Sequence, residues 1–136
     1  MTLLVWTSKN SVGVKELDAH HQKIFSLLNS LYSSIAKADT KETSKNVLQE
    51  LINYAQYHFA AEEKYFDQFN YDQKDEHQSQ HRQYEQKMAQ FIKDIETTPD
   101  FVFSYKLLDF LEDWWLGHIG HEDKKYTQCF NSHGLF

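Results

Sequence analysis

Five histidines and two carboxylates, His21, His58, Glu62, His77, His81, His118 and Asp123, fall at helical spacing along stretches whose neighbouring positions are apolar. Imidazole and carboxylate are nitrogen and oxygen donors suited to first-row metal ions. Burying either group without a partner costs several kcal/mol, so seven of them turned into one core require a shared counter-charge, which a metal cluster supplies. His58 with Glu62, and His77 with His81, are four residues apart, the separation at which two side chains on one helix face reach a single ion or a pair of ions. Either pair alone is a weak signal, because a lone histidine is more often a surface or hydrogen-bonded core residue; the joint pattern carries the argument. His118 and Asp123 are less regular. Five residues on an ideal helix turn about 140° away from the starting face, and periodicity alone would choose Glu122 or His121. A local widening of the helix would bring Asp123 inward, and such bulges often occur at functional sites.

Four elements must position these groups. With four Gly and one Pro in 136 residues, and apolar positions recurring at steps of three and four, the chain reads as all-α. The first stripe starts near Asp18, a candidate N-cap, and carries Leu17, His21, Ile24, Leu28, Leu31 and Ile35. The second follows the polar stretch Asp39 to Glu42 with Leu48, Leu51, Ala55, His58, Glu62, Tyr65 and Phe69. The third starts near Lys74 with His77, His81, Tyr84, Met88, Phe91 and Ile95, and stops before Thr97-Thr98-Pro99. The fourth begins around Asp100 with Phe103, Leu107, Leu111, Trp114 and His118.

Connections of a few residues, around Lys37 to Lys41, Asn70 to Gln73 and Glu96 to Asp100, are too short for crossovers and make successive helices antiparallel, which predicts an up-down-up-down four-helix bundle. The starts of helices one and three then share an end with the finishes of helices two and four. His21, His77 and His81 lie near starts; His58, Glu62, His118 and Asp123 lie near finishes. At about 1.5 Å rise per residue, all seven fall within a slab roughly 10 Å deep. The expected layout is one domain over residues 1–136, with an arm at 1–17, the bundle at 18–129 and a tail at 130–136; Trp6 in the arm reads as a packing anchor.

Composition narrows the chemistry. A formal charge of −6, with 14 Lys and Arg in no long block, argues against nucleic acid or an anionic membrane as partner. No run approaches the roughly 18 apolar residues of a membrane span, and the start MTLLVWTSKN lacks a basic region followed by a long apolar stretch, so no membrane insertion and a cytoplasmic location are expected. Cys129 is the only cysteine, so an internal disulfide and a thiolate cluster within the chain are both excluded.

The arrangement Asp18-Ala-His-His21, His58-Phe-Ala-Ala-Glu62-Glu63, His77-Gln-Ser-Gln-His81 and Trp114-Trp-Leu-Gly-His118-Ile-Gly-His-Glu-Asp123 resembles the hemerythrins, specifically the bacterial single-domain members. The likeness spans nearly the whole chain, including Trp6 and the approach Ser11-Val12-Gly13-Val14. It implies two non-haem iron ions: His77, His81 and His118 on one, His21 and His58 on the other, and Glu62, Asp123 and an oxo or hydroxo group bridging them. It also implies that Asp123 is the ligand despite its spacing, that dioxygen is the partner, and that Ile24, Phe59, Trp114, Trp115 and Ile119 form an oxygen pocket around an open position on the second ion.

Five neutral imidazoles and two carboxylates favour the ferric state less than the four-Glu, two-His set of ferritin-like proteins. Reversible dioxygen binding for storage, delivery or sensing is therefore the leading expectation. A di-iron enzyme acting on O2, peroxide or nitric oxide, and an iron- or zinc-binding bundle without gas chemistry, are the alternatives. Sensing would require a separate downstream protein partner, which the sequence does not name. Many oxygen-carrying relatives have leucine at the place of Trp115, whose indole either narrows the pocket or simply packs between helices. Tyr65 and Tyr84 read as core residues first and hydrogen-bonding partners second. Glu63 and Glu122, rotated about 100° from their ligand neighbours, are expected in solvent, as are His20, His121 and His133.

Overall fold

The computed structural model describes residues 4–136. Four long helices, α1 (Lys15–Ala36), α2 (Lys41–Gln68), α3 (Lys74–Thr97) and α4 (Tyr105–Gly117), make the expected antiparallel bundle, and there is no strand among the described residues. A π-helical turn (His118–Glu122), a 3-10 turn (Asp123–Tyr126) and the short α5 (Thr127–Ser132) continue α4 towards the C-terminus. α1 packs on α2 and α4, and α2 packs on α3. The stripes meet along the axis: Leu17, Ile24, Leu28, Leu31, Leu48, Leu51, Ile95 and Leu111 are fully buried. No described helix is long and apolar enough to cross a membrane.

The helix ends follow from local chemistry. Thr40 caps α2, its side chain accepting from the Thr43 N–H at 3.2 Å. After α2, Asn70 takes a positive φ of 51° while the Tyr71 N–H reaches back to the Phe66 carbonyl at 2.9 Å, a helix stop that asparagine tolerates well.

Three boundaries differ from the sequence expectation. α1 begins at Lys15, and Asp18 lies inside its first turn instead of capping it. The Asp18 carboxylate accepts from Ser11 Oγ (2.5 Å) and the Val12 N–H (2.8 Å), so it ties the incoming chain down while Val12 and Val14 bury beside Leu17. α4 begins at Tyr105 because Phe101-Val102-Phe103 runs extended, laying Phe101 and Phe103 against the core and leaving Val102 exposed. At the other end, helical structure continues past residue 129, since α5 brings Phe130 into full burial against Tyr126 and Phe66.

The two ends of the chain clasp each other beside this region. Thr127 Oγ1 donates to the Val12 carbonyl (2.6 Å), the Asn131 side-chain amide to the Gly13 carbonyl (3.1 Å), and Lys124 Nζ to the Lys9 carbonyl (2.7 Å). Gly13 is required here twice over: its φ is +73°, and a Cβ would lie 2.9 Å from the Thr127 methyl. Trp6 packs edge-on against Phe25 with ring centroids 5.4 Å apart, the anchor expected of it. Replacing Asp18 with alanine removes two hydrogen bonds to a charged acceptor, and should lower unfolding free energy by about 2 kcal/mol. Urea denaturation checks this, with a lower midpoint at unchanged slope as the expected result.

Candidate metal centre

The seven donor residues converge at the end of the bundle where α1 and α3 begin and α2 and α4 finish. α1 supplies His21, α2 supplies His58 and Glu62, α3 supplies His77 and His81, and the π-helical turn supplies His118 and, just beyond it, Asp123. All seven are buried. The irregular spacing of the last pair has a structural cause: the Asp123 N–H bonds to the His118 carbonyl five residues back, and this wider turn returns Asp123 to the face that His118 occupies. His121 is exposed and Glu122 instead pairs with Lys125 at 3.1 Å.

The donors sort into two groups, Glu62 with His77, His81 and His118, and His21 with His58, Glu62 and Asp123; within each group the donor atoms lie within 4.8 Å of one another. Each carboxylate faces both ways. Glu62 Oε1 lies 3.2 Å from His81 Nε2 and 3.6 Å from His77 Nε2, while its Oε2 lies 3.5 Å from His58 Nε2. Asp123 Oδ1 lies 3.0 Å from His118 Nε2 and 3.1 Å from His77 Nε2, while its Oδ2 lies 3.0 Å from His21 Nε2.

These separations fit donors around common ions, since ligands about 2.1 Å from a metal and at right angles to each other are about 3.0 Å apart. Hydrogen bonding does not account for them. His77 Nε2, Glu62 Oε1 and both Asp123 oxygens are buried without a hydrogen-bond partner, despite near neighbours. His21 Nε2 faces His58 Nε2 at 3.1 Å, and His81 Nε2 faces His118 Nε2 at 3.2 Å, so with Nε2 free to bind a cation each pair would turn lone pairs at one another. Leaving each such group unpaired costs about 1–3 kcal/mol, more when charged. A cation in each group satisfies them together, and the donors present are those that hold iron, zinc or manganese. Cys129 lies outside both groups.

The electrostatics agree. Burial and the nearby Asp123 push the Glu62 carboxyl up, but His58, His77 and His81 outweigh them and hold it well below the usual range. Asp123 is likewise held down by His118, His21 and His77 against its own burial. Burial drives His58 down to about 3, so it presents a neutral imidazole. At His77 burial also lowers the value, yet Asp123 and Glu62 raise it to about 10, marking the point between the carboxylates as one that favours positive charge.

Several groups around the donors were not expected there. His20, placed in solvent by its position off the first stripe, is buried, and its Nδ1 lies 3.0 Å from His58 Nδ1. Glu63 is not free in solvent either: its Oε2 accepts from His81 Nδ1 at 2.8 Å and also pairs with Arg82. Gln80 Oε1 accepts from His118 Nδ1 at 3.1 Å, and the buried Tyr126 hydroxyl donates to Glu62 Oε2 at 2.6 Å. A one-residue offset places each of His20, Glu63 and Gln80 beside a donor of a neighbouring helix, a relation that single-helix periodicity does not display. Tyr126 had a weaker signal, its i, i+4 relation to Phe130 on the continuation of α4.

Aromatic rings fix the planes of two imidazoles. Phe59 stacks on His81 with centroids 3.8 Å apart, and Trp114 stacks on His118 at 4.4 Å. Trp115 is fully buried, stacked on Phe59 at 5.6 Å and 6.2 Å from His58, and its indole N–H donates to the Tyr84 hydroxyl at 3.1 Å. Ile24, Phe59 and Ile119 are buried, whereas Trp114 is partly exposed. Tyr84 is a core residue that bonds Trp115 and not a donor, and the Tyr65 hydroxyl donates to Glu16. His133 is exposed, as is His121.

A family model described as the hemerythrin HHE cation binding domain matches residues 12–129. A bacteriohemerythrin of Clostridium acetobutylicum is 28% identical over 128 residues, covering 91% of this chain and 98% of that protein. A hemerythrin-like protein of Naegleria gruberi is 31% identical over 121 residues, covering 89% and 88% respectively. Among solved structures, wild-type hemerythrin superposes with a TM-score of 0.87 at 26% identity, covering 93% of this chain and 97% of its own. Replacing Tyr126 with phenylalanine removes the one hydrogen bond its hydroxyl gives to Glu62. The expected cost is about 2 kcal/mol, seen in chemical denaturation of the metal-depleted protein with the far-ultraviolet helix signal unchanged.

Proposed function

The chain belongs to the hemerythrin family, and on that footing we propose that it binds dioxygen reversibly at a pair of iron ions. In this reading His77, His81 and His118 hold one ion and His21 and His58 the other. Glu62, Asp123 and an oxo or hydroxo group bridge the two. The observation that carries it is the division of each carboxylate, with one oxygen towards the three-histidine group and the other towards the two-histidine group. Counting donors, the two-histidine ion is one ligand short of the other, which leaves a place for the gas. When bound, the iron pair supplies two electrons to dioxygen and recovers them on its release.

The protein's own part is to orient the donors and keep the site dry. The stacked Phe59 and Trp114 hold the planes of His81 and His118. Ile24, Phe59, Trp115 and Ile119 provide the apolar wall of the oxygen pocket, and Trp114 closes its outer edge. A wall of this kind raises the barrier to water and protons reaching the bound gas. These side chains include no acid, which favours a carrier over a di-iron oxidase or a reductase of peroxide or nitric oxide, each of which must deliver protons to its substrate.

Optical spectra of the ferrous protein before and after air test the proposal. A visible band that appears with oxygen and disappears under vacuum is expected. His118→Ala and Asp123→Ala should each abolish that band and His121→Ala should leave it intact. Zinc as the native metal, together with no visible band from the iron-loaded protein in air, would refute the assignment.

A further inference from the structure

The nitrogens facing away from the proposed ions are backed by chemically unequal groups on the two sides. In the three-histidine group, His81 Nδ1 donates to the Glu63 carboxylate at 2.8 Å and His118 Nδ1 to the Gln80 amide oxygen at 3.1 Å. Glu63 is itself fixed by Arg82, whose Nε also pairs with Glu85 at 2.8 Å. In the two-histidine group, His58 has only the imidazole of His20 behind it, at 3.0 Å; His21 Nδ1 in this group and His77 Nδ1 in the other are both buried without a partner, so the inequality lies between the backing of His81 and His118 and that of His58. For His58 to present Nε2 inward its proton must sit on Nδ1, so His20 Nδ1 is the acceptor. An imidazole whose N–H is given to a carboxylate is a stronger electron donor to a metal than one bonded to a neutral group, and loss of such a partner typically weakens metal binding roughly 10- to 100-fold.

We propose that these backing groups add to the difference in histidine number, so that the two halves of the centre load in two distinct steps. The three-histidine half fills first and holds its ion more tightly, with Glu63 as the positioning residue that widens the difference. His20 is the positioning residue of the weaker half, where it selects the tautomer of His58. The inference rests on the metal-centre reading above and adds to it an order of filling and the residues that determine it. Bridging by Glu62 and Asp123 does not create the asymmetry, because each presents one oxygen to either side.

Anaerobic titration of the metal-depleted full chain with cobalt(II), followed by calorimetry and visible absorption, tests this without any gas chemistry. Two separate binding steps are expected. Glu63→Gln should weaken the first step by about 10- to 100-fold and leave the second unchanged. His20→Leu should weaken only the second, and His20→Gln, whose amide oxygen can still accept from His58, should restore it. Far-ultraviolet spectra and melting curves of the metal-depleted variants separate these effects from misfolding, since a general loss of structure would weaken both steps. Uptake of two ions in one step, or an unchanged first step in Glu63→Gln, would overturn the proposal while leaving the metal centre standing. No cobalt uptake at all would overturn both.

Discussion

Five imidazoles and two carboxylates packed out of water, with their nitrogen and oxygen atoms crowded together, are the constraint around which the rest of this molecule is arranged. Hydrophobic burial does not relieve it, and hydrogen bonds from Tyr126 to Glu62 and between the outer imidazole nitrogens and Glu63, Gln80 and His20 relieve it only in part. Placing two carboxylates side by side in the interior raises the free energy of both, and the imidazoles facing them can share only so many protons. The surrounding bundle is the scaffold that bears this cost. Its long apolar stripes of leucine and isoleucine, away from the site, provide the stabilisation against which a dense polar cluster at one end can be tolerated.

The scaffold aims the donors by three different means. Helix register places His58 above Glu62 and His77 above His81. A change of helix type does the same for Asp123, where one extra residue in the turn corrects an angle that a regular helix would get wrong. Ring stacking and an outward hydrogen bond then settle the plane and tautomer of His81 and His118, as Phe59 does from the ring face and Glu63 from the Nδ1 edge for His81. The first two means act within the segment that carries the donor, whereas the outward hydrogen bonds come from a neighbouring helix, so the centre is a product of the packing and not of any single segment.

Much of this was legible in the chain before folding. The stripes of α1 to α3 pick out most of their central residues, though they pass over the buried Phe25, Phe59 and Phe66 and include Ile35, Tyr65 and Phe69, which are only partly covered; short connections suffice to bring the seven donors to one end, because antiparallel order follows from connection length. Helix boundaries were less legible where burial overrode capping preference. Asp18 has the side chain of an N-cap, but the apolar Val12 and Val14 bring the helix start three residues earlier. Asp100 was displaced as a start in the same way, by the extended Phe101 to Phe103. The groups behind the donors were least legible. His20 and Glu63 sit about 100° off their own stripes and would face solvent on isolated helices; only the adjacent helix converts those positions into hydrogen-bonded ones. Asp123 shows the opposite case, in which periodicity pointed to its neighbours and family resemblance to the residue that the π-helical turn brings inward.

The clasp between the chain's two ends bears on how such a centre comes into being. Its bonds join Lys9, Val12 and Gly13 to Lys124, Thr127 and Asn131, and the last of the seven donors is residue 123 of 136. A nascent polypeptide emerging from the ribosome amino end first can therefore assemble three helices and most of the hydrophobic interior while the pocket still lacks a wall and a carboxylate. Completion of the donor set waits until α4 and the turns beyond it join the first three helices. The order of elements along the chain thus leaves the fourth wall of the pocket and its second carboxylate for last.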